Sequence, residues 1–350
     1  MNVERVYLDI IAQSQSNDEF WYFCVPNDQT ANLESCGNTA FRETEVTIDG
    51  KPAGVAPVYP WIYTGGIDPY LWEPIPGVQT IDFKPYRVDL TPFAGVLDDG
   101  NPHTVGVGVY NANNYFLATA NLLVYTDRGK QKITGGILSN TLTAAPAPVV
   151  TEKITAAAGP TYTGSVSVAS NRDFEIRGYV NTSHGRVETT VRQSVDFLST
   201  QEFDVNAATD VQNAQQTTTV DSHTFTRGGF YSGNVEERFS YPLNINYSFV
   251  ANPDGTYTQT VASDQQDLVR KTQKVNGSEA YVSKLHNEVN AADTLNFDAN
   301  FNVTGSTGSM TTQTYRSRDS FGHCYDRTLT AAAHVLTNVS DGRDCEDRDH

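Results

Sequence analysis

Val187-Glu188-Thr189-Thr190-Val191-Arg192-Gln193-Ser194-Val195-Asp196-Phe197 carries Val, Thr, Val, Gln, Val and Phe at every second position. A period of two sends alternate side chains to opposite faces of an extended strand, and this run is long enough to cross the height of a sandwich. Shorter copies of the pattern flank it: Leu243, Ile245, Tyr247 and Phe249, then Leu295, Phe297, Ala299, Phe301 and Val303. Turn chemistry punctuates the chain at Asp49-Gly50-Lys51, Asp98-Asp99-Gly100-Asn101-Pro102 and Pro253-Asp254-Gly255, where Gly and Asp suit tight reversals. Helical periodicity is nearly absent. The reading is an all-β protein, an antiparallel β-sandwich of jelly-roll type followed by a second β domain of long strands.

The pattern lapses in Thr143-Ala144-Ala145-Pro146-Ala147-Pro148 and Ala156-Ala157-Ala158-Gly159-Pro160. This predicts a sandwich over 1–136, an Ala/Pro-rich linker over 137–160, a C-terminal β domain over 161–340 and a charged tail over 341–350. The first part holds every Trp and most of the Pro, and the second is rich in Thr, Asn and Gln.

The 350 residues include 41 Asp and Glu against 24 Lys and Arg, a formal charge of -17. Such a chain repels nucleic acid and anionic membrane surfaces, so neither is expected as a partner. No stretch is apolar enough for a membrane span. Cys24 with Cys36 and Cys324 with Cys345 form two short-range pairs without C-x-x-C or interleaved His. Disulfides in an oxidising compartment fit better than zinc or free thiols, although spacing alone leaves other pairings open. Five sequons, at Asn181, Asn246, Asn276, Asn302 and Asn338, also suit secretion, and alternation turns Asn246 and Asn302 onto polar faces. The first residues, Met1-Asn2-Val3-Glu4-Arg5-Val6-Tyr7-Leu8, read as a strand already inside a domain rather than a signal peptide, which implies a missing N-terminus.

Aromatics and carboxylates concentrate in Asn17-Asp18-Glu19-Phe20-Trp21-Tyr22, Phe41-Arg42-Glu43 and the stretch from Tyr59-Pro60-Trp61 through Tyr63-Thr64-Gly65-Gly66-Ile67-Asp68-Pro69 to Leu71-Trp72-Glu73-Pro74-Ile75. Aromatic planes that stack on sugar C–H groups, beside carboxyls that move protons, would suit carbohydrate chemistry. The alternative is that the Trp are core and the charges solvated. Gly65-Gly66 reads as a bend needing positive φ, since no P-loop context surrounds it. His103, after a turn, reads as a loop anchor, and His184 as exposed. No H-E-x-x-H or G-x-S-x-G is present, which counts against metalloprotease and serine-hydrolase readings.

These three segments, with Tyr86-Arg87-Val88-Asp89-Leu90-Thr91-Pro92-Phe93, Asp99-Gly100-Asn101-Pro102-His103 and Ala120-Asn121-Leu122-Leu123-Val124-Tyr125, resemble the acid-type peptide N-glycanases, the peptide N-glycanase A family. Gly178-Tyr179-Val180-Asn181-Thr182-Ser183, Ser240-Tyr241-Pro242-Leu243 and Tyr325-Asp326-Arg327 are similar to segments further along in that family. Two departures stand out: family members carry a sizeable region before the first segment, and Glu73 stands where the family usually has Arg.

The resemblance implies hydrolysis of the amide joining Asn to the first N-acetylglucosamine of an N-glycan, with a glycopeptide as partner and neither cofactor nor metal. Such a reaction needs a base for water, an acid for the departing nitrogen and donors for the oxyanion. Glu43 and Glu19 are then the expected acid–base groups and Arg42 the carbonyl donor. Trp21, Trp61 and Trp72 are the expected sugar platforms, with Asp18, Tyr63, Asp68 and Glu73 as further substrate contacts. Arg42 and Glu43 are neighbours, so on a strand they face opposite ways. A partial enzyme is the expectation for the chain as it stands. A non-catalytic carbohydrate-binding sandwich and a two-carboxylate glycoside hydrolase are the alternatives.

Overall fold

The computed structural model describes residues 2–342 and Cys345. Six short strands open the chain: β1 (Val3–Gln15), β2 (Glu43–Ile48), β3 (Lys51–Pro57), β4 (Tyr86–Asp89), β5 (Val105–Tyr110) and β6 (Tyr115–Thr126). They form two three-stranded antiparallel sheets, ordered β4-β1-β6 and β3-β2-β5. Asp49 and Gly50 both adopt positive φ at the β2–β3 reversal, the geometry a two-residue hairpin requires. Val6, Leu8 and Ile10 of β1, Val46 and Ile48 of β2, and Val88 of β4 share one core cluster.

The rest is one 11-stranded antiparallel sheet. Its strands are β7 (Gly135–Asn140), β8 (Val149–Ala157), β9 (Thr161–Thr182), β10 (Gly185–Asn206), β11 (Thr209–Gly228), β12 (Tyr231–Ala251), β13 (Tyr257–Val275), β14 (Ser278–Phe297), β15 (Val303–Asp319), β16 (Cys324–Ala332) and β17 (Val335–Asp341). From β9 to β17 each strand pairs with the next in sequence, while β7 and β8 share the outer edge of β9. The Val187–Phe197 alternation lies within β10, with Val191, Val195 and Phe197 buried.

One face of the long sheet is turned to the small sheets and their loops. Val166, Val168, Phe197, Leu243 and Val261 pack in one cluster with Trp21, Trp61, Ile62 and Trp72. Phe174, Ile176, Val195 and Val220 likewise join the β1–β4 core. Burying about 25 cal/mol per Å² of apolar surface is the main term favouring this union.

Three expectations need correction. Residues 137–160 are not a linker, because β7 and β8 lie there and are hydrogen-bonded to β9. Nor are the flanking parts separate in their packing, since both core clusters draw residues from each. The alternation Leu295 to Val303 is broken by a turn at 298–302, so Asn302 sits in that turn, bonded to Asp298. Asn246, Asn276, Asn302 and Asn338 are exposed and Asn181 is half-buried. The 341–350 tail falls mostly outside the described residues; Asp341 ends β17 and Cys345 is half-buried. Among the described residues no helix is long and apolar enough to cross a membrane.

Candidate functional site

The inner face of the long sheet carries polar side chains where the alternation calls for apolar ones, and they hold the N-terminal loops. Gln201 donates to the Tyr22 carbonyl at 3.2 Å, Gln212 to that of Leu33 at 3.1 Å and Gln265 to that of Pro60 at 2.6 Å. Gln265 also accepts from the Val78 amide at 3.0 Å, and Thr311 donates to the Leu71 carbonyl at 2.9 Å. Loop backbone that pairs with no strand would be costly to bury, and these side chains supply its partners. Tyr22, Leu33, Leu71 and Val78 are accordingly fully buried.

The same contacts fix the expected site residues, several of them in structural roles. Trp21, Trp61 and Trp72 are at most 3% exposed. None offers a ring face to solvent, which corrects the sugar-platform expectation: the long sheet covers the segments that carry them. Arg42 is likewise not a free carbonyl donor. Its guanidinium makes a fully buried ion pair with Asp18 at 2.9 Å and donates to the carbonyls of Asn38, Thr39 and Phe41. Asp18 also accepts from the Asn113 and Asn114 amides, so the pair ties three loops together. Asp68 caps a short 3₁₀ turn by accepting from the Tyr70 amide at 2.9 Å, and burial raises its pKa. Tyr63 donates to the Ser14 carbonyl at 2.8 Å, and Glu19 is half-buried nearby without an ion pair among the described residues. Glu73 is exposed, 3.8 Å from His334. Gly65 has φ +88°, and His103 bridges Asp49 at 2.7 Å and Asp99 at 3.1 Å as a loop anchor.

Glu43 does sit in a perturbed setting, but with different neighbours from those expected. It forms a buried ion pair with Arg172 of β9, and its second oxygen has no partner. Glu45, two residues along β2 and hence on the same face, lies 3.9 Å from that guanidinium. Burial lifts the Glu43 carboxyl to about 7 against the opposing pull of Arg172. Burial raises Glu45 as well.

On the opposite face of β2 lies a cavity of about 90 Å³, walled by Thr44, Tyr59, Trp61, Tyr86, Tyr241 and Asp267, with Gln79 and Lys84 from the preceding loop. Tyr59 packs edge-on against Tyr241 at 4.9 Å and lies 5.5 Å from Trp61. Asp267 is 2% exposed and accepts from Gln79 at 2.7 Å through one oxygen. Its other oxygen, the Trp61 Nε1 and the Thr44 Oγ1 are buried without partners. Burial pushes the Asp267 carboxyl up to about 6, with Gln79 and Lys84 pulling the other way. Burial also holds the Tyr59 and Tyr241 hydroxyls well above the usual phenol range, keeping both protonated.

Three unpartnered polar atoms border one aromatic-walled cavity, whose volume suits a carboxamide-sized group rather than a sugar ring. A carboxyl titrating near 6 can give up or take a proton close to neutrality. Asp267, Thr44 and Arg172 were missed in the sequence. The readable signal for Asp267 was its parity, since it occupies the apolar phase of Val261, Ser263, Gln265 and Val269 on β13.

The cysteines pair as Cys24–Cys36 and Cys324–Cys345. Residues 1–143 match the family model described as peptide N-acetyl-beta-D-glucosaminyl asparaginase amidase A, and residues 165–243 match that of the PNGase A C-terminal domain. The chain is 28% identical over 348 residues to a peptide-N4-(N-acetyl-beta-glucosaminyl)asparagine amidase A of Prunus dulcis, covering 98% of this chain and 58% of that protein. It thus spans little more than half the length of that relative. No solved structure matches it.

Proposed function

Since the chain belongs to the peptide N-glycanase A family, we propose that it is an amidase cleaving the bond between a peptide Asn and its N-acetylglucosamine, with Asp267 as the proton-transfer group. The carrying observation is the cavity itself: a buried carboxyl raised to about 6 beside two unpartnered donors. Water adds to the Asn side-chain carbonyl carbon, and Trp61 Nε1–H and the Thr44 hydroxyl donate to the oxygen as it gains charge. The carbon–nitrogen bond then breaks. Protonated Asp267 gives its proton to the departing nitrogen, and the proton released by the attacking water returns to the carboxylate. The products are an Asp side chain and a glycosylamine. Glu43 and Arg172, on the other face of β2, hold that strand rather than touch the substrate.

Two disulfides suit an oxidising compartment, which supports a secreted location. We read the paired three-stranded sheets as the jelly-roll-like sandwich.

The test is release of glycan from a small glycopeptide, followed by the mass change from Asn to Asp. Asp267→Asn should keep the fold and lower the rate by about 10²–10⁴-fold. The wild-type rate should fall as pH rises through about 6, because the acid form is the one that donates. Undiminished turnover by Asp267→Asn, or no turnover by the wild-type chain, would overturn the reading.

A further inference from the structure

The long sheet pairs opposite charges across its strands almost wherever charges meet. Arg192 stands opposite Glu175 at 2.7 Å, Lys271 opposite Glu237 at 2.7 Å and Arg327 opposite Asp341 at 2.7 Å. One row breaks the rule. Arg238 of β12, Arg270 of β13, Lys284 of β14 and Arg318 of β15 are direct register partners in succession. Like charges placed opposite one another destabilise a sheet, so folding gives no reason for this row. All four side chains are exposed, as is Arg316 one pair along on the same face.

Odd-numbered residues of β13 face the core, so this even-numbered row lies on the sheet's outer surface, away from the small sheets. It lines a groove of about 610 Å³ with Leu268 and His286. The Cys324–Cys345 disulfide brings Cys345 to the end of the row as part of the groove wall. Arg238 is paired with Asp221 at 3.3 Å and Arg316 with Asp326 at 3.2 Å. Among the described residues Arg270, Lys284 and Arg318 have no ion pair, and all three line the groove.

We propose that this groove binds a short anionic oligosaccharide through its carboxylates or sulfates. Neighbouring strands lie roughly 4.8 Å apart, so the four cations span about 14 Å, the reach of a few sugar units. Length is the discriminating property. The protein as a whole carries a charge of -17, so a polyanion extending past the groove, such as nucleic acid or a membrane surface, meets repulsion that a short ligand escapes. The groove lies on the opposite face of the sheet from the Asp267 cavity, and the proposal does not depend on amidase activity.

The test is calorimetric titration of the full chain with tetragalacturonate, sulfated maltotetraose and neutral maltotetraose, each at low and high salt. At least one charged tetrasaccharide should bind, more weakly at high salt, and the neutral one should not. Binding of only one charged ligand assigns the groove to carboxylates or to sulfates. The triple variant Arg270→Gln, Lys284→Gln, Arg318→Gln should weaken binding by about tenfold or more and melt no lower than wild type, since it relieves repulsion. Equal binding of the neutral sugar, an unchanged affinity in the triple variant or no charged ligand bound would each overturn the proposal. A chain ending at Cys345 gives a further check, because Glu346, Asp347 and Asp349 follow it. Binding seen only after that trimming would assign the groove to the chain's own end and overturn it for the full protein.

Discussion

The long sheet and the loops between residues 16 and 85 bury their backbone in opposite ways. From β9 to β17 each strand satisfies the next through ladder hydrogen bonds between sequence neighbours. The loops instead depend on single side chains from distant strands: Gln201, Gln212, Gln265 and Thr311. A ladder shares its stability over many bonds, whereas a side-chain contact stands or falls by itself. The raised carboxyls Glu43 and Asp267 both lie where the two systems meet.

The contrast is tested most severely by Arg42→Met, which strands Asp18 as a buried charge and should cost about 3–5 kcal/mol. Adding Asp18→Asn to that variant should recover part of the loss, measured by urea unfolding. Equal stability of the single variant and wild type would show that the loops do not depend on this pair.

Acidity offers the next test. Glu43 and Asp267 have folded-state values of about 7 and about 6, above their ordinary ones. The folded state therefore binds more protons, and the stability these groups favour is present at about pH 4 and lost as pH rises through 6 to 7. Each group should contribute on the order of 2–3 kcal/mol to that slope. Glu43→Gln and Asp267→Asn should each flatten the slope, followed as melting temperature against pH.

The mildest test sets one residue of each kind side by side. Gln265→Leu removes the partner of the Pro60 carbonyl and of the Val78 amide and should cost about 1–3 kcal/mol. Arg192→Gln removes an exposed ion pair on the outer surface and should cost at most about 1 kcal/mol. Comparable losses in the two would erase the distinction.

This division also explains what could be read in advance. Strands buried on one face, such as β10, announce themselves by alternation, because a core selects every second residue. Strands β7 and β8 do not, because they lie along the edge of β9 with little burial, and Ala, Pro and Thr are tolerated there. The cluster of Trp, Asp18, Arg42 and Glu43 was legible as a special region, but its roles were not. Whether Trp61 faces solvent is settled by Tyr241 and Leu243, far along the chain. Likewise, the partner of Glu43 is Arg172, 129 residues away.

The glutamine contacts also set a timetable. Tyr22 waits for Gln201, 179 residues later, and Pro60 waits for Gln265, 205 residues later. At roughly 5–20 residues per second, a ribosome leaves these carbonyls without their partners for roughly 10–40 s. During that interval Trp21, Trp61 and Leu71 have no sheet to cover them. The loops between residues 16 and 85 thus leave the ribosome well before the strands that cover them, and their burial waits on the long sheet.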